Sequence, residues 1–425
     1  MTTKRPLLKM RNYFVGALSQ AYEGGQGDDK PLRAAVHSCT QVIDAGKAGP
    51  AVYSERGCAW LDLGEPQKAL ADFNKAIKAD PNDAALYSNR GDAYAELGKY
   101  ELAFTDYNRA IKTDPRLASA YNNRGQAYAE TGDLEAAIED FNQALKLQRG
   151  LVSSMYNRGW VYFDLDKPEK ALKDFQAALK LEPGSAEILG SLGEVYQELG
   201  QPAKAIAQFT EIIKRYPKSG YAYNDRGLVY LEEGNLEKAY PDFEMALRLS
   251  PHDSGVYNNF GLLFASTKGR ETEAPVYFTA ALRLSPNTPL YLFNRGDAYL
   301  QIGRAKLALN DFTKAIDLDP EVGLYHFGRG LANYDLGEMK AAKEDFTEAL
   351  ELEPPTAEIY CNRAQVCTEL EDYKSALADY AAAIAADPHC ATAYFSRAAI
   401  YQDMGKYALA KANTAKALKL DPKIK

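Results

Sequence analysis

Between Ala84 and Leu117 the apolar and small positions keep a helical beat. Tyr87, Gly91 and Tyr94 fall with Arg90 on one stripe, at the i, i+3, i+4, i+7 spacing of a buried helix face. The beat breaks at Gly98, and a second stripe of Ala103, Tyr107 and Ala110 follows from near Tyr100. Asp114 and Pro115 stop it, because proline cannot continue the hydrogen-bond ladder and restricts the residue before it. The spacing predicts two antiparallel helices joined by a short turn. Small side chains such as Gly91 and Ala103 let the two approach, while Tyr94 and Tyr107 fill the remaining space.

The same pattern returns along the chain. Gly57, Gly91, Gly125, Gly159, Gly193, Gly227 and Gly261 stand 34 residues apart, and Gly296, Gly330, Ala364 and Ala398 continue the series. Prolines mark the end of most units, at Pro81, Pro115, Pro183, Pro217, Pro251, Pro320, Pro354, Pro388 and Pro422, with Arg149 in place of one. Fixed self-similarity of this kind predicts an α-solenoid, in which each hairpin buries its core only against its neighbours. Eleven units begin at Pro50, Ala84, Ala118, Val152, Ala186, Gly220, Ser254, Pro289, Gly323, Ala357 and Ala391, so that repeats occupy residues 50–425. The seventh carries an extra residue between Ser266 and Glu273, with Lys268 where glycine is usual, and predicts a longer loop. Residues 30–49 read as an N-terminal capping helix whose Ala35, Cys39 and Val42 have the spacing of Ala69, Phe73 and Ala76. In the last unit Lys411, Lys416 and Lys419 make the second helix a solvated lid.

The positions of Tyr87, Gly91, Tyr94, Ala103, Tyr107, Ala110 and Pro115 resemble those of the tetratricopeptide repeat family. The resemblance implies an all-α fold, a right-handed superhelix of antiparallel helix pairs. It also implies a concave groove, lined by the first helices, that receives peptides.

Arginine precedes the repeated small residue in nine units: Arg56, Arg90, Arg124, Arg158, Arg226, Arg295, Arg329, Arg363 and Arg397. Sixteen residues on, eight of these carry Asp72, Asp106, Asp140, Asp174, Asp242, Asp311, Asp345 and Asp379, and the ninth Asn413. The units with Leu192 and Phe260 lack the arginine and also lack the aspartate, holding Gln208 and Tyr277. The two positions change together, which predicts an ion pair within each hairpin and a structural lock that sets register.

Opposite the buried stripe, three features mark a candidate binding face. Asn89, Asn123, Asn157, Asn259, Asn294 and Asn362 recur at one register, with Asp225 in a seventh unit. Their carboxamides could hold an extended peptide backbone, and a similar ladder characterises the superhelix of O-linked N-acetylglucosamine transferase; solvated or intrahelical amides are the alternative. The far ends of the first helices are acidic, at Asp62, Glu96, Glu130, Asp164, Glu198, Glu232, Asp335, Glu369 and Asp403, which fits either a basic ligand or a soluble face. Two patches are apolar: Tyr156, Trp160 and Phe163, and then Leu324, Phe327, Leu331 and Tyr334, extended by Leu290, Phe293 and Leu300. Such patches mark partner surfaces or contacts with a second copy. The carboxylate clamp of chaperone-tail-binding relatives needs lysines here, and Ser54, Cys58, Ser88, Asp92 and Asn122 are not lysines.

Net charge of −8 and a pI near 5.3 argue against nucleic acid as a partner. Five cysteines without a CxxC predict reduced thiols. Four histidines, His37, His252, His326 and His389, are scattered without metal-ligand spacing and read as loop or surface residues. No phosphate loop, dinucleotide fingerprint or nucleophile elbow occurs, so neither an enzyme, a metal nor a cofactor is expected. Residues 1–29 form a separate N-terminal segment. Lys4, Arg5, Lys9 and Arg11 precede a short apolar run, Tyr13 to Leu18, with Ser19 and Ala21 beyond it. A signal peptide would export the chain, but so short a run favours a cytoplasmic protein. The sequence thus predicts a non-enzymatic scaffold that binds an extended, basic or apolar-anchored segment of a protein partner. The alternatives are a self-assembling structural protein and the substrate-recruiting subunit of an enzyme complex.

Overall fold

The computed structural model describes residues 29–424, and the candidate targeting segment lies outside them. All regular structure among the described residues is helical. Contacts divide the chain into two compact units, met in turn on either side of Asn235 and Leu236.

The first unit opens with α1 (Lys30–Asp44) and continues through α2 (Pro50–Asp62), α3 (Pro66–Ala79), α4 (Ala84–Glu96), α5 (Tyr100–Thr113), α6 (Ala118–Glu130) and α7 (Leu134–Leu147). It closes with α8 (Val152–Asp164), α9 (Pro168–Leu181), α10 (Ala186–Glu198), α11 (Pro202–Arg215) and α12 (Gly220–Glu232). The second holds α13 (Leu236–Leu249), α14 (Ser254–Ala265), α15 (Ala274–Leu284), α16 (Pro289–Gln301), α17 (Ala305–Leu318) and α18 (Gly323–Asp335). Its last helices are α19 (Met339–Leu352), α20 (Ala357–Glu369), α21 (Tyr373–Ala386), α22 (Ala391–Asp403) and α23 (Tyr407–Leu420). Within each unit every helix packs on the one before and the one after it, as a solenoid requires.

In eight hairpins the repeated glycine and a ring on the second helix form the centre. A Cβ on Gly91 would stand 2.5 Å from Cε1 of Tyr107, and one on Gly193 would stand 2.5 Å from Cζ of Phe209. The absence of a side chain there lets a fully buried ring lie flat on the partner helix. Phe73, Tyr107, Phe141, Phe175 and Phe209 in the first unit, and Phe243, Phe278, Phe312, Phe346 and Tyr380 in the second, are at most 1 % exposed. The proline ending a unit serves the next hairpin as well: the carbonyls of Pro81 and Pro251 accept from the hydroxyls of Tyr87 at 3.1 Å and Tyr257 at 3.2 Å. His326 meets Pro320 in the same way, Nε2 to carbonyl at 3.1 Å. It is a buried histidine on a helix, unlike exposed His37, His252 and His389, and corrects the surface reading for that residue.

The seventh repeat has its longer loop: Ser266–Arg270 separate α14 from a 3-10 turn at Glu271–Glu273, and α15 is three residues shorter than the 14-residue second helices. The turn glycine moves to Gly269, with φ +84. α1 packs on α2 through buried Cys39, but Val42 stays 38 % exposed, so its spacing does not carry it into the core.

Candidate functional site

In seven hairpins the predicted arginine and aspartate meet. Nε and Nη2 of Arg90 donate to the two carboxylate oxygens of Asp106 at 2.7 and 2.8 Å, and Arg124 does the same to Asp140 at 2.7 Å for both. Arg56–Asp72, Arg158–Asp174, Arg295–Asp311 and Arg363–Asp379 repeat the fork, while both nitrogens of Arg329 reach one oxygen of Asp345. Arg397 donates to the amide oxygen of Asn413 at 2.7 Å. The aspartates are buried and the arginines lie at their edge, with stems packed and the fork aimed inward. A third contact was not legible from one repeat alone. Nη1 reaches back to the preceding helix, from Arg56 to Thr40 of α1 at 2.9 Å, Arg90 to Asn74 at 2.7 Å, Arg295 to Thr279 at 3.1 Å and Arg363 to Thr347 at 3.2 Å. The signal that would have found it is the recurring Asn or Thr just after the buried ring, as in Phe73-Asn74, Tyr107-Asn108 and Phe346-Thr347. The guanidinium therefore ties helices within and between hairpins.

The predicted binding face splits into two registers. Ser88, Asn122, Tyr156, Asn258, Phe293 and Phe327 share one position and are buried, because the first helix of the next hairpin covers it. Ser154 donates to Asn122 at 2.8 Å, Ser191 to the Tyr156 hydroxyl at 3.2 Å, and Phe293 packs on Tyr325 with ring centroids 5.6 Å apart. Phe327 is 6 % exposed and lies on Phe346. Trp160, Phe163, Leu324, Leu331 and Tyr334 are half-buried and keep an accessible edge, as do Leu290 and Leu300. Trp160 is braced by Phe175 at 5.4 Å and Phe163 at 5.6 Å.

Most of the asparagines bond within the protein. Asn89 donates to the Cys58 sulfur at 3.4 Å, and Asn123 to Asp92 at 2.9 Å. Buried Asn294 donates to Asn258 at 2.8 Å, and Asn362 to the Glu358 carbonyl at 2.9 Å along its own helix. Asn157 is buried as well, and Asn259 is half-buried beside Asn258, whose amide reaches it at 3.3 Å.

At the far ends of the first helices in the first unit, Asp62, Glu96, Glu130, Glu198 and Glu232 are exposed. Partial desolvation of its carboxyl group, then the charges of Asp62 and Glu130, push Glu96 above its ordinary value. Burial likewise raises Glu130, against hydrogen bonds from Gln126 and Tyr100. Deeper on this face burial pushes Asp92 up to about 7, although the Tyr107 hydroxyl and the Asn123 amide stabilise its charge. Burial and then Asp62 and Asp92 raise the Cys58 thiol. No lysine or arginine pairs with Asp62, Glu96, Glu130 or Glu198 among the described residues. The arrangement concentrates negative potential in a row and can attract cations. Among the described residues no three His, Cys, Asp or Glu side chains converge to hold a metal ion, and no helix is long and apolar enough to cross a membrane.

Comparison with known proteins extends the repeat through both units. Sequence models of the TPR repeat match residues 57–98 and 91–132. Models of the tetratricopeptide repeat match 116–182, 151–218, 191–254, 273–320, 293–357, 357–390 and 391–424. Among solved structures the chain is similar to a tetratricopeptide repeat protein from Parabacteroides merdae, at 21 % identity and a TM-score of 0.50 over 59 % of this chain and 98 % of that one. It is also similar to the human IFIT1 dimer with m7Gppp-AAAA, at 15 % identity and a TM-score of 0.50 over 96 % and 99 %. The APC/C hetero-tetramer Cut9-Hcn1 matches at 16 % identity and 0.50 over 97 % of both chains. At such identities the likeness is one of fold. With hairpin geometry, buried ring and repeat models in agreement from Gly57 onward, the chain belongs to the tetratricopeptide repeat family.

Proposed function

We propose that this protein is a non-enzymatic interaction scaffold whose first-helix face takes an extended, basic segment of a protein partner. The observation that carries the reading is the row Asp62, Glu96 and Glu130, where partial desolvation and then the charges of Asp62 and Glu130 raise the proton affinity of Glu96 without a cationic side chain to relieve it. A lysine- or arginine-rich segment supplies that relief, and the accessible edges of Trp160 and Phe163 offer aromatic anchors beside it. Half-buried Asn89 and Asn123 bond to Cys58 and Asp92 on the same face; in the second unit half-buried Leu324, Leu331 and Tyr334 supply apolar surface. The human IFIT1 structure holds m7Gppp-AAAA, but a row of carboxylates repels phosphates, and the reading here is a protein ligand.

The test is titration calorimetry with extended Lys/Arg-rich peptides against the native chain and the Asp62→Asn/Glu96→Gln/Glu130→Gln variant. Binding should weaken with salt and fall at least about tenfold in the variant, the size of roughly 1.4 kcal/mol. Equal affinity for both proteins would refute the acidic row as the site.

A second reading has its own observation. On α23 Tyr407 is 71 % exposed and Leu409 and Leu418 nearly half exposed, between the lysines that make the rest of its surface polar. These side chains fit self-association with a second copy. Light scattering over a concentration series distinguishes it, since Tyr407→Lys/Leu409→Lys should leave a monomer at every concentration.

A further inference from the structure

Cys361 lies on α20 and Cys390 is the residue that opens α22, and their sulfurs stand 3.8 Å apart. Both are half-buried, whereas Cys39 and Cys367 are buried. Cys361 occupies the register that the next hairpin covers in Tyr156 and Phe327, but its small side chain leaves the spot partly open. Cys390 stands where Asp83, Ser185, Ser219, Asp253 and Thr356 cap their helices through a side-chain oxygen. A sulfur in that place sits at the positive end of a helix, which favours the thiolate.

We infer that Cys361 and Cys390 form a reversible dithiol–disulfide pair, with Cys390 the attacking thiolate and Cys361 the resolving thiol, oxidised by low-molecular-weight disulfides. The Cys390 thiolate attacks one sulfur of the small disulfide and forms a mixed disulfide, and the other half leaves as a thiolate. Cys361 loses its proton to solvent and attacks the Cys390 sulfur, and the second half of the small disulfide leaves. The pair gives up two electrons and two protons, and the small disulfide becomes two thiols. Closure brings the sulfurs from 3.8 Å to bonding distance.

The proton distribution supports the assignment. A hydrogen bond from the Cys361 thiol, then the backbone N–H groups of Ala393 and Thr392, push Cys390 down to about 6, against burial and Asp387. The same hydrogen bond, with burial, raises Cys361. Both directions put the negative charge at the helix N-terminus, on Cys390, and the proton on Cys361. Closure would tie α20 to the start of α22 across 29 residues of chain, fixing the seam between the last two hairpins and restricting the unfolded ensemble.

The experiment treats the full chain at pH 7 with oxidised glutathione, unfolds it in an alkylating agent and maps the tryptic peptides by mass. The expected product is a Cys361–Cys390 cross-linked peptide short of two hydrogen atoms, reversed by dithiothreitol, with Cys39, Cys58 and Cys367 alkylated. Its melting temperature should rise by several degrees. Cys361→Ser should halt at a glutathione adduct on Cys390, formed at least roughly tenfold faster than any on Cys58. Cys390→Ser should leave Cys361 unmodified over the same time, with circular dichroism confirming that both variants fold. Five alkylated thiols in the oxidised native chain, or a cross-link through any other cysteine, would overturn the pair.

Discussion

The hairpins Ala118–Leu147 and Ser254–Leu284 solve the same packing problem with opposite chemistry. In both, a glycine lies flat against a buried ring, Gly125 on Phe141 and Gly261 on Phe278. Beside that contact the first hairpin holds the Arg124–Asp140 fork, and the second holds Phe260 against Tyr277 with ring centroids 4.8 Å apart. Phe264 stacks on the same tyrosine at 4.7 Å, and Arg270 from the longer loop lies over Phe264 at 4.2 Å. Each hairpin also reaches back one helix. Arg124 does so through Nη1 to Asn108, and Phe260 through Tyr240 at 5.3 Å and Phe243 at 6.1 Å. The shared requirement is thus a filled slot that joins three helices, and charge is one way of filling it. A buried ion pair gains little over apolar side chains of similar volume, since desolvation offsets much of its attraction. What a two-pronged fork adds is direction: it closes in one register, whereas rings tolerate a slip.

The largest effect should come from leaving half of the fork behind. Arg124→Leu strands the Asp140 carboxylate in the core and leaves the Asn108 amide oxygen without its donor, at a cost of about 3–5 kcal/mol. Hydrogen exchange within 118–147 reads this locally, which suits a repeat array whose unfolding is not all-or-none. Arg124→Phe/Asp140→Tyr, copied from the seventh repeat, should recover the protection to within about 1 kcal/mol of the native chain. A double variant weaker than Arg124→Leu alone would show that the aromatic slot depends on its longer loop and cannot be transplanted.

Asp92 shows what such a carboxylate does without an arginine. The Tyr107 hydroxyl donates to it at 2.8 Å and the Asn123 amide at 2.9 Å, but neither carries charge, and burial holds its pKa at about 7. In the unfolded chain it titrates near an ordinary value of about 3.9. The folded state therefore binds the proton more tightly, and stability falls as pH rises between those values and is lowest above 7. Between pH 5 and 8 the native chain should lose about 1–3 kcal/mol that Asp92→Asn does not lose. Melting temperatures of the two proteins at constant ionic strength measure it; parallel pH profiles would remove Asp92 as the cause.

The all-helical fold was readable because glycine, ring and proline return in phase, so that each copy corrects the noise in the others. The ion pair was readable because Leu192 and Phe260 break both of its positions at once, opposite Gln208 and Tyr277. The face was harder. A helical wheel drawn on one helix places Tyr156 and Phe327 away from the second helix and so toward solvent, but it knows nothing of the next hairpin, which buries them. The asparagines suffer the same blindness: the partner of Asn89 is Cys58, 31 residues earlier, and that of Asn123 is Asp92. Contacts within a hairpin repeat with its period and leave a trace in sequence. Apart from the Asn or Thr that meets Nη1, the contacts between hairpins on this face involve whichever polar residue the neighbour carries, so Cys361 and Cys390 came together without any spacing motif.

The smallest effect concerns the turn between the paired helices, where the ionic and aromatic hairpins agree. Gly132 and Gly269 both adopt the left-handed region, at φ +86 and +84. Asp166 and Glu371 adopt it too, at +55 and +59, although each carries a Cβ that crowds the following carbonyl. Aspartate tolerates that geometry better, because its short side chain can bond locally, and glutamate has no such remedy. Glu371→Gly should therefore stabilise its hairpin by about 0.5–1 kcal/mol, net of the extra freedom glycine brings to the unfolded chain, and Asp166→Gly by less. Gly132→Ala should cost about 1 kcal/mol for the same reason, with nothing near its Cβ to clash. Exchange rates in 357–386 and 152–181 rank the first two. If Glu371→Gly loosens its hairpin while Gly132→Ala loosens the other, the turn at 371 is held by its side chain, and backbone strain is not what separates the two.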